Sequence, residues 1–185
     1  KYVVYYKDSL WYIHNNFTHV ELSETKKDFL KIDWTYIYTL NIDDAIEKNS
    51  KYSTVITPNQ EIDFSILEKE KNNIKLHGDA YDFLKSKTKD CLIFSSTQYS
   101  ESIYKNKDLL NRLKSDNSDN NIIYIGCSLD NEFDLMSLAI NKQSVLPNTS
   151  KYFFCLKEPD DYKKIELTEY GITHIVLVTS YDAMY

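Results

Sequence analysis

Glycine, proline and cysteine each occur only three times in this chain of 185 residues, and arginine occurs once, at Arg112. The first glycine is Gly78, so no Gly-rich strand-to-helix loop that could cradle a pyrophosphate stands ahead of it. Cys91, Cys127 and Cys155 sit singly inside apolar runs. With no CxxC pair and no even framework, they exclude a zinc ribbon and a disulfide scaffold and read as reduced, buried core thiols. With a single arginine, the planar fork that grips phosphates bidentately is nearly missing, and the net charge of −6 argues against a nucleic-acid partner. No run approaches the roughly 18 apolar residues that span a bilayer, so no membrane partner is expected. The N-terminus shows no secretory signal, which makes a cytoplasmic location the expectation.

What is present is globular. At 21.8 kDa with 42% hydrophobic residues the chain is large enough for one well-buried core. Short apolar runs alternate with polar stretches of helical spacing. The runs Tyr36–Thr39, Tyr52–Ile56, Ile74–Leu76, Leu92–Ser95, Ile122–Ile125, Tyr152–Leu156 and His174–Val178 predict strands, and the later four are apolar enough to be covered on both faces. Two helices are expected before Ile32, and others over Gln98–Lys114, Asn131–Asn141 and Pro159–Tyr170. Ile103, Leu110 and Leu113 would share the buried face of the first of these later helices. Pro159 suits a first turn and Gly171 the position past the end. Ser115–Asn121 reads as a loop. This alternation predicts an α/β fold, Rossmann-like, with a mostly parallel sheet and helices on both faces.

In such a sheet, ligands bind beyond the carboxyl ends of the strands. Three segments fall there: Thr39-Leu40-Asn41-Ile42-Asp43-Asp44, Lys75-Leu76-His77-Gly78 and Ile125-Gly126-Cys127-Ser128-Leu129. Asn41 can orient a water or a ribose hydroxyl without titrating. Asp44 followed by Glu47 equally resembles a capping box, which would only start a helix. His77, alone among the four histidines, ends an apolar run and precedes a glycine; its imidazole can take a proton from a hydroxyl near neutral pH. A purely structural histidine is the alternative. Gly126 and Ser128 end a strand where backbone N–H groups could hold a phosphate or a ribose oxygen, whereas Asp130 and Glu132 beyond them favour simple compensation of a helix dipole.

Together and in this order, the segments resemble the SIR2 family, which carries a Thr-x-Asn-x-Asp segment, a His-Gly pair and a later Gly-x-Ser turn. The resemblance spans Tyr36 to Leu135, and Leu92-Ile93-Phe94-Ser95 followed by Gln98-Tyr99 is similar to the SIR2-like domains of bacterial anti-phage proteins. It implies NAD as substrate. Thr39, Asn41 and Asp43 would belong to the nicotinamide-ribose side, with Asn41 also placing the attacking water. His77 and Gly78 would meet ribose hydroxyls, and Gly126 with Ser128 would hold the adenosine side. No metal is expected, because the four-cysteine zinc module of deacylase sirtuins has no counterpart here. The resemblance therefore implies an NAD hydrolase that releases nicotinamide, with a non-catalytic NAD or ADP-ribose module and a protein deacylase as alternatives. It also implies self-association and an activator that is phage-derived or a nucleotide. Since the family's glycine loop would precede Tyr36, residues 1–185 are expected to be a single SIR2-like domain lacking that N-terminal portion.

Overall fold

A computed structural model describes residues 6–58, 65, 69–86, 92–93, 96–130, 135–138 and 148–185. The chain divides into two compact units, Lys1–Asn106 and Lys107–Tyr185. The architecture is α/β, and every pairing between named strands is parallel.

In the first unit, helices α1 (Tyr6–Phe17) and α2 (Glu24–Lys31) precede strand β1 (Tyr36–Thr39). Helix α3 (Ala45–Asn49), β2 (Thr54–Ile56), β3 (Asn72–Lys75), α4 (Ala80–Ser86) and α5 (Ser96–Lys105) follow. The strands form one sheet in the order β1-β3-β2, so β3 is central. Its register sets Thr39 opposite Lys75 and Ile56 opposite Ile74. Beside the sheet, Ile13 of α1 packs with Ile42, Ala80, Phe83 and Leu92, flanked by Leu10, Phe17 and Leu84. Each of the larger members contributes about 1.5–3 kcal/mol through burial. Because Ile42 and Ala80 belong to this cluster, the segments that leave β1 and β3 are pinned to a packed core. The entry to β1 is fixed by Tyr52, which is fully buried; its hydroxyl donates to the Ile32 carbonyl and accepts from the Trp34 N–H.

The second unit carries α6 (Lys107–Asp119), β4 (Ile122–Tyr124), a 3-10 turn at Leu135–Leu138, β5 (Lys151–Cys155), α7 (Asp161–Glu169), β6 (His174–Leu177) and a 3-10 turn at Asp182–Met184. Its sheet runs β4-β5-β6. Leu109, Leu110 and Leu113 bury one side of α6. Asn117, fully buried, accepts from the Tyr124 hydroxyl at 2.9 Å and donates to the Tyr170 carbonyl at 3.3 Å, joining α6 to β4 and to the end of α7.

Several expectations are corrected. The helix expected over Gln98–Lys114 is two helices that break at Asn106, and the break takes Ile103 off the shared face: it is 43% exposed. The expected loop Ser115–Asn121 is helical through Asp119, held by Arg112 against Asp116 and by the buried Asn117. Strand β3 begins two residues before the expected Ile74, because Asn72 and Asn73 are buried polar residues with partners for their amide groups. Helix α7 starts at Asp161, with Asp160 rather than Pro159 at its entry, its carboxylate accepting from the Lys163 N–H. Gly171 does follow the helix, at φ 77°. Strand β6 is largely exposed instead of covered on both faces. Leu92 makes one antiparallel bridge to Gly78, while Phe94 and Ser95 lie outside the described residues. Of the helix expected over Asn131–Asn141, the described part, Leu135–Leu138, is a 3-10 turn. Cys127 and Cys155 are half-buried rather than buried, and Cys91 lies outside the described residues.

Candidate functional site

Because β1 and β3 are parallel neighbours, their carboxyl ends open on the same side, and the two segments that follow them meet. The Leu76 N–H donates to the Thr39 carbonyl at 2.9 Å, and the Ala80 N–H to the Ile42 carbonyl at 2.9 Å. The Thr39 hydroxyl accepts from the Asn41 N–H at 3.0 Å, closing a local turn that leaves Asn41 exposed. Asp43 caps the peptide beyond it, its carboxylate accepting from the Ala45 N–H at 3.1 Å. Opposite, the chain leaving β3 reverses through a β-turn in which the Gly78 N–H donates to the Lys75 carbonyl at 3.3 Å. Leu76 and His77 are its central residues. Gly78 sits at φ 93°, a left-handed conformation that disfavours any residue with a Cβ. His77 is 5% exposed, and its carbonyl accepts from the Ile93 N–H.

The group that joins the two segments is Lys75, fully buried in the central strand. Its ammonium donates to the Asp43 carbonyl at 2.5 Å, to Glu47 Oε1 at 2.5 Å and to Asp79 Oδ2 at 2.6 Å. One lysine therefore ties the Asn41–Asp43 segment, helix α3 and the residue after Gly78 to one point. Glu47 also accepts from Asn73 Nδ2 at 2.9 Å. Burial pushes the Glu47 carboxyl above its usual value, with the Lys75 ammonium acting in the opposite direction.

The capping-box expectation fails here in an informative way. Glu47 is spent on Lys75, and Asp44, at the entry of α3, makes no side-chain cap. Its fully buried carboxylate turns back to accept from the His19 N–H at 2.6 Å and the Val20 N–H at 2.9 Å, and pairs with Lys48 at 2.6 Å. Burial pushes Asp44 up, but Lys48 and the two N–H groups outweigh it and hold its pKa at about 2. The residue anchors the chain between α1 and α2 to the back of the loop that presents Asn41.

Gly126 and Ser128 lie in the second unit, beyond β4. Gly126 has φ 65°, and among the described residues nothing lies within 4 Å of the place a Cβ would occupy. The glycine is thus favoured by its backbone angle rather than by crowding. The Ser128 hydroxyl accepts from the Asp130 N–H at 3.3 Å, and buried Leu129 is left-handed at φ 58°. Asp130 pairs with Lys163 of α7, and the expected helix start beyond it, residues 131–134, lies outside the described residues. Glu132 is outside the described residues.

Thr39, Asn41, Asp43, His77 and Gly78 are thus neighbours in the first unit, and Gly126 and Ser128 share one turn in the second. Lys75, Glu47 and Asp79 escaped the sequence reading. A lysine inside a run otherwise read as strand, two residues before His77, was the available signal. Among the described residues no group of His, Cys, Asp and Glu could hold a metal ion, and no helix is long and apolar enough to cross a membrane.

A parallel sheet with Asn/Asp and His-Gly segments at adjacent strand ends makes this an α/β protein whose polar segments stand where ligands bind in such folds. Residues 35–175 match the SIR2-like domain family model, which covers most of the chain, so the protein belongs to the SIR2-like domain family. Its function is accordingly NAD-related. Comparison with curated proteins gave no match.

Proposed function

We propose that the protein is an NAD hydrolase that cleaves the bond between nicotinamide and ribose to give nicotinamide and ADP-ribose. The observation that carries the reading is the Lys75-centred tie, which keeps Asn41 and Asp43 beside His77 and Gly78. The residues suit the ribose side of NAD: an exposed carboxamide at Asn41, a carboxylate at Asp43 and the imidazole of His77 belong to the segments that leave neighbouring strands, and backbone can approach closely at Gly78.

In the proposed reaction the C1′–N bond breaks with its electron pair moving to the pyridine nitrogen, so nicotinamide leaves neutral and needs no acid. This is simpler than ordinary glycoside hydrolysis, in which a carboxyl group protonates the leaving oxygen. Asn41 orients the water that attacks C1′. Asp43 offsets the positive charge that builds on the ribose. His77 hydrogen-bonds the ribose hydroxyls and takes the proton that the attack releases. Gly126 and Ser128 hold the adenosine side. The role would be anti-phage defence in the cytoplasm, exercised by a homo-oligomer and triggered by a phage-derived or nucleotide activator.

The test is nicotinamide release from NAD by the full-length protein. Asn41→Ala and His77→Ala should each lower turnover by about 100-fold or more, and wild-type turnover in both would refute the reading. A second reading, a non-catalytic ADP-ribose-binding module, is favoured by the net charge of −6. Calorimetric binding of ADP-ribose with no nicotinamide release would establish it.

A further inference from the structure

We propose that Asn106 is a positioning residue for His77. The inference rests on the reading of His77 as part of an NAD site, but its first test does not depend on activity. Leu76 and His77 form the middle of the β-turn that leaves β3, and the peptide joining them has no hydrogen-bond partner within the turn itself. Such a central peptide can flip between two turn types, and a flip would reorient the backbone that carries the imidazole. Asn106 prevents this. Its Nδ2 donates to the Leu76 carbonyl, the oxygen of that central peptide, at 2.8 Å. The orientation of the carboxamide is settled by chemistry, since a carbonyl can only accept and the donor half of the side chain must face it.

Two further features separate this contact from ordinary packing. Asn106 is 1% exposed, and its Oδ1 is buried with no hydrogen-bond partner among the described residues. An apolar residue would avoid that penalty, so the donor half is what the position uses. Asn106 also stands at the break between α5 and α6, where the spacing of apolar residues predicted an unbroken helix. Neither proline nor glycine causes the break. The chain leaves the helix at the residue whose side chain reaches the His77 turn.

The experiment compares Asn106→Asp and Asn106→Ala with wild type in the full chain. In the first arm, the ring-proton signals of the four histidines are followed by NMR. The His77 signal should shift in both variants while those of His14, His19 and His174 stay within experimental error. In the second arm, nicotinamide release is measured from pH 5 to 8. Asn106→Ala should lower kcat about 10-fold at every pH with KM changed less than about 2-fold, as expected for a residue acting on geometry rather than on binding. Asn106→Asp should lose as much at pH 8, where an ionised carboxyl can only accept and repels the Leu76 carbonyl, and should recover toward pH 5 as the carboxyl protonates and donates. An unmoved His77 signal overturns the proposal, as does an Asn106→Asp deficit that is constant with pH in an active enzyme. If wild type releases no nicotinamide while the His77 signal still shifts, the NAD hydrolase reading fails and the positioning contact stands.

Discussion

Replacing Lys75 with methionine removes a buried ammonium while nearly keeping its length, and it strands Glu47 and Asp79 in a site built around that charge. Breaking a buried pair by deleting one partner costs about 3–5 kcal/mol, because the remaining charge is left uncompensated. Here two carboxylates lose their partner, so the upper part of that range is expected at pH 7. With a urea dependence of roughly 2 kcal/mol per molar, the unfolding midpoint should fall by about 1.5–2.5 M. The deficit should also depend on pH in a definite direction. Burial already raises the Glu47 carboxyl, and without the ammonium that opposes it the folded-state pKa rises further above its unfolded value near 4. The Glu47 part of the cost is then full above that raised value and shrinks as pH falls toward about 4 and the group takes up a proton. Urea denaturation of wild type and Lys75→Met at pH 7, 6 and 5 measures both effects. A deficit under about 1 kcal/mol at pH 7, or one that does not narrow on acidification, would refute the assignment of Lys75 as the joint between the two loops.

Asp44→Asn should cost about 2 kcal/mol at neutral pH, from the drop in folded-state pKa from 3.8 to about 2. That contribution is present above pH 3.8 and is lost as pH falls through 2, so the stability curves of wild type and variant should converge there in acid titrations. Gly126→Ala should destabilise by about 1 kcal/mol through its left-handed φ alone, since a Cβ meets open space, and Gly126→Asn should cost less because asparagine tolerates that conformation. Equal losses in thermal melts would point to a clash instead. Lys151 is buried with the Thr149 hydroxyl as its acceptor among the described residues, and burial lowers its pKa against the weaker pull of the Asp119 carboxylate. Lys151→Met should therefore be at least as stable as wild type at pH 7, and a clear loss in urea titration would show that the attraction to Asp119 outweighs the burial.

The parts of the fold legible in the sequence are those that apolar pattern determines. Strand β1 falls on its expected residues, and β4, β5 and β6 differ from theirs by a residue at one or both ends, because their Ile, Val, Phe and Tyr runs are bounded by polar turns. Strand β3 was harder. Asn72-Asn73-Ile74-Lys75 reads as polar, and partners such as Glu70, Glu47 and Asp79, distant or unremarkable in sequence, let it be a buried central strand. The same holds for the site. Asn41, Asp43, His77 and Gly78 could be found because each stands just past an apolar run. The pairing that holds them could not, because Glu47 is four residues from Asp43 and looks like a helix cap until Lys75 is placed opposite it. The helix break at Asn106 left no trace in apolar spacing, and neither proline nor glycine marks it in the sequence.

The alternation of β3 gives its polar residues a use beyond holding loops. Asn73 and Lys75 lie two residues apart and therefore on one face, and both donate to Glu47. Sliding β3 by one residue past β1 would present Asn72 and Ile74 to that carboxylate, trading an ammonium for a methyl group and leaving Glu47 charged beside hydrocarbon. Glu47 thus reads the register of the central strand, and a mispaired sheet is penalised at the same atoms that carry the correctly paired one. A chain that folds in this register has, by that fact, already set the segment that leaves β1 beside the segment that leaves β3.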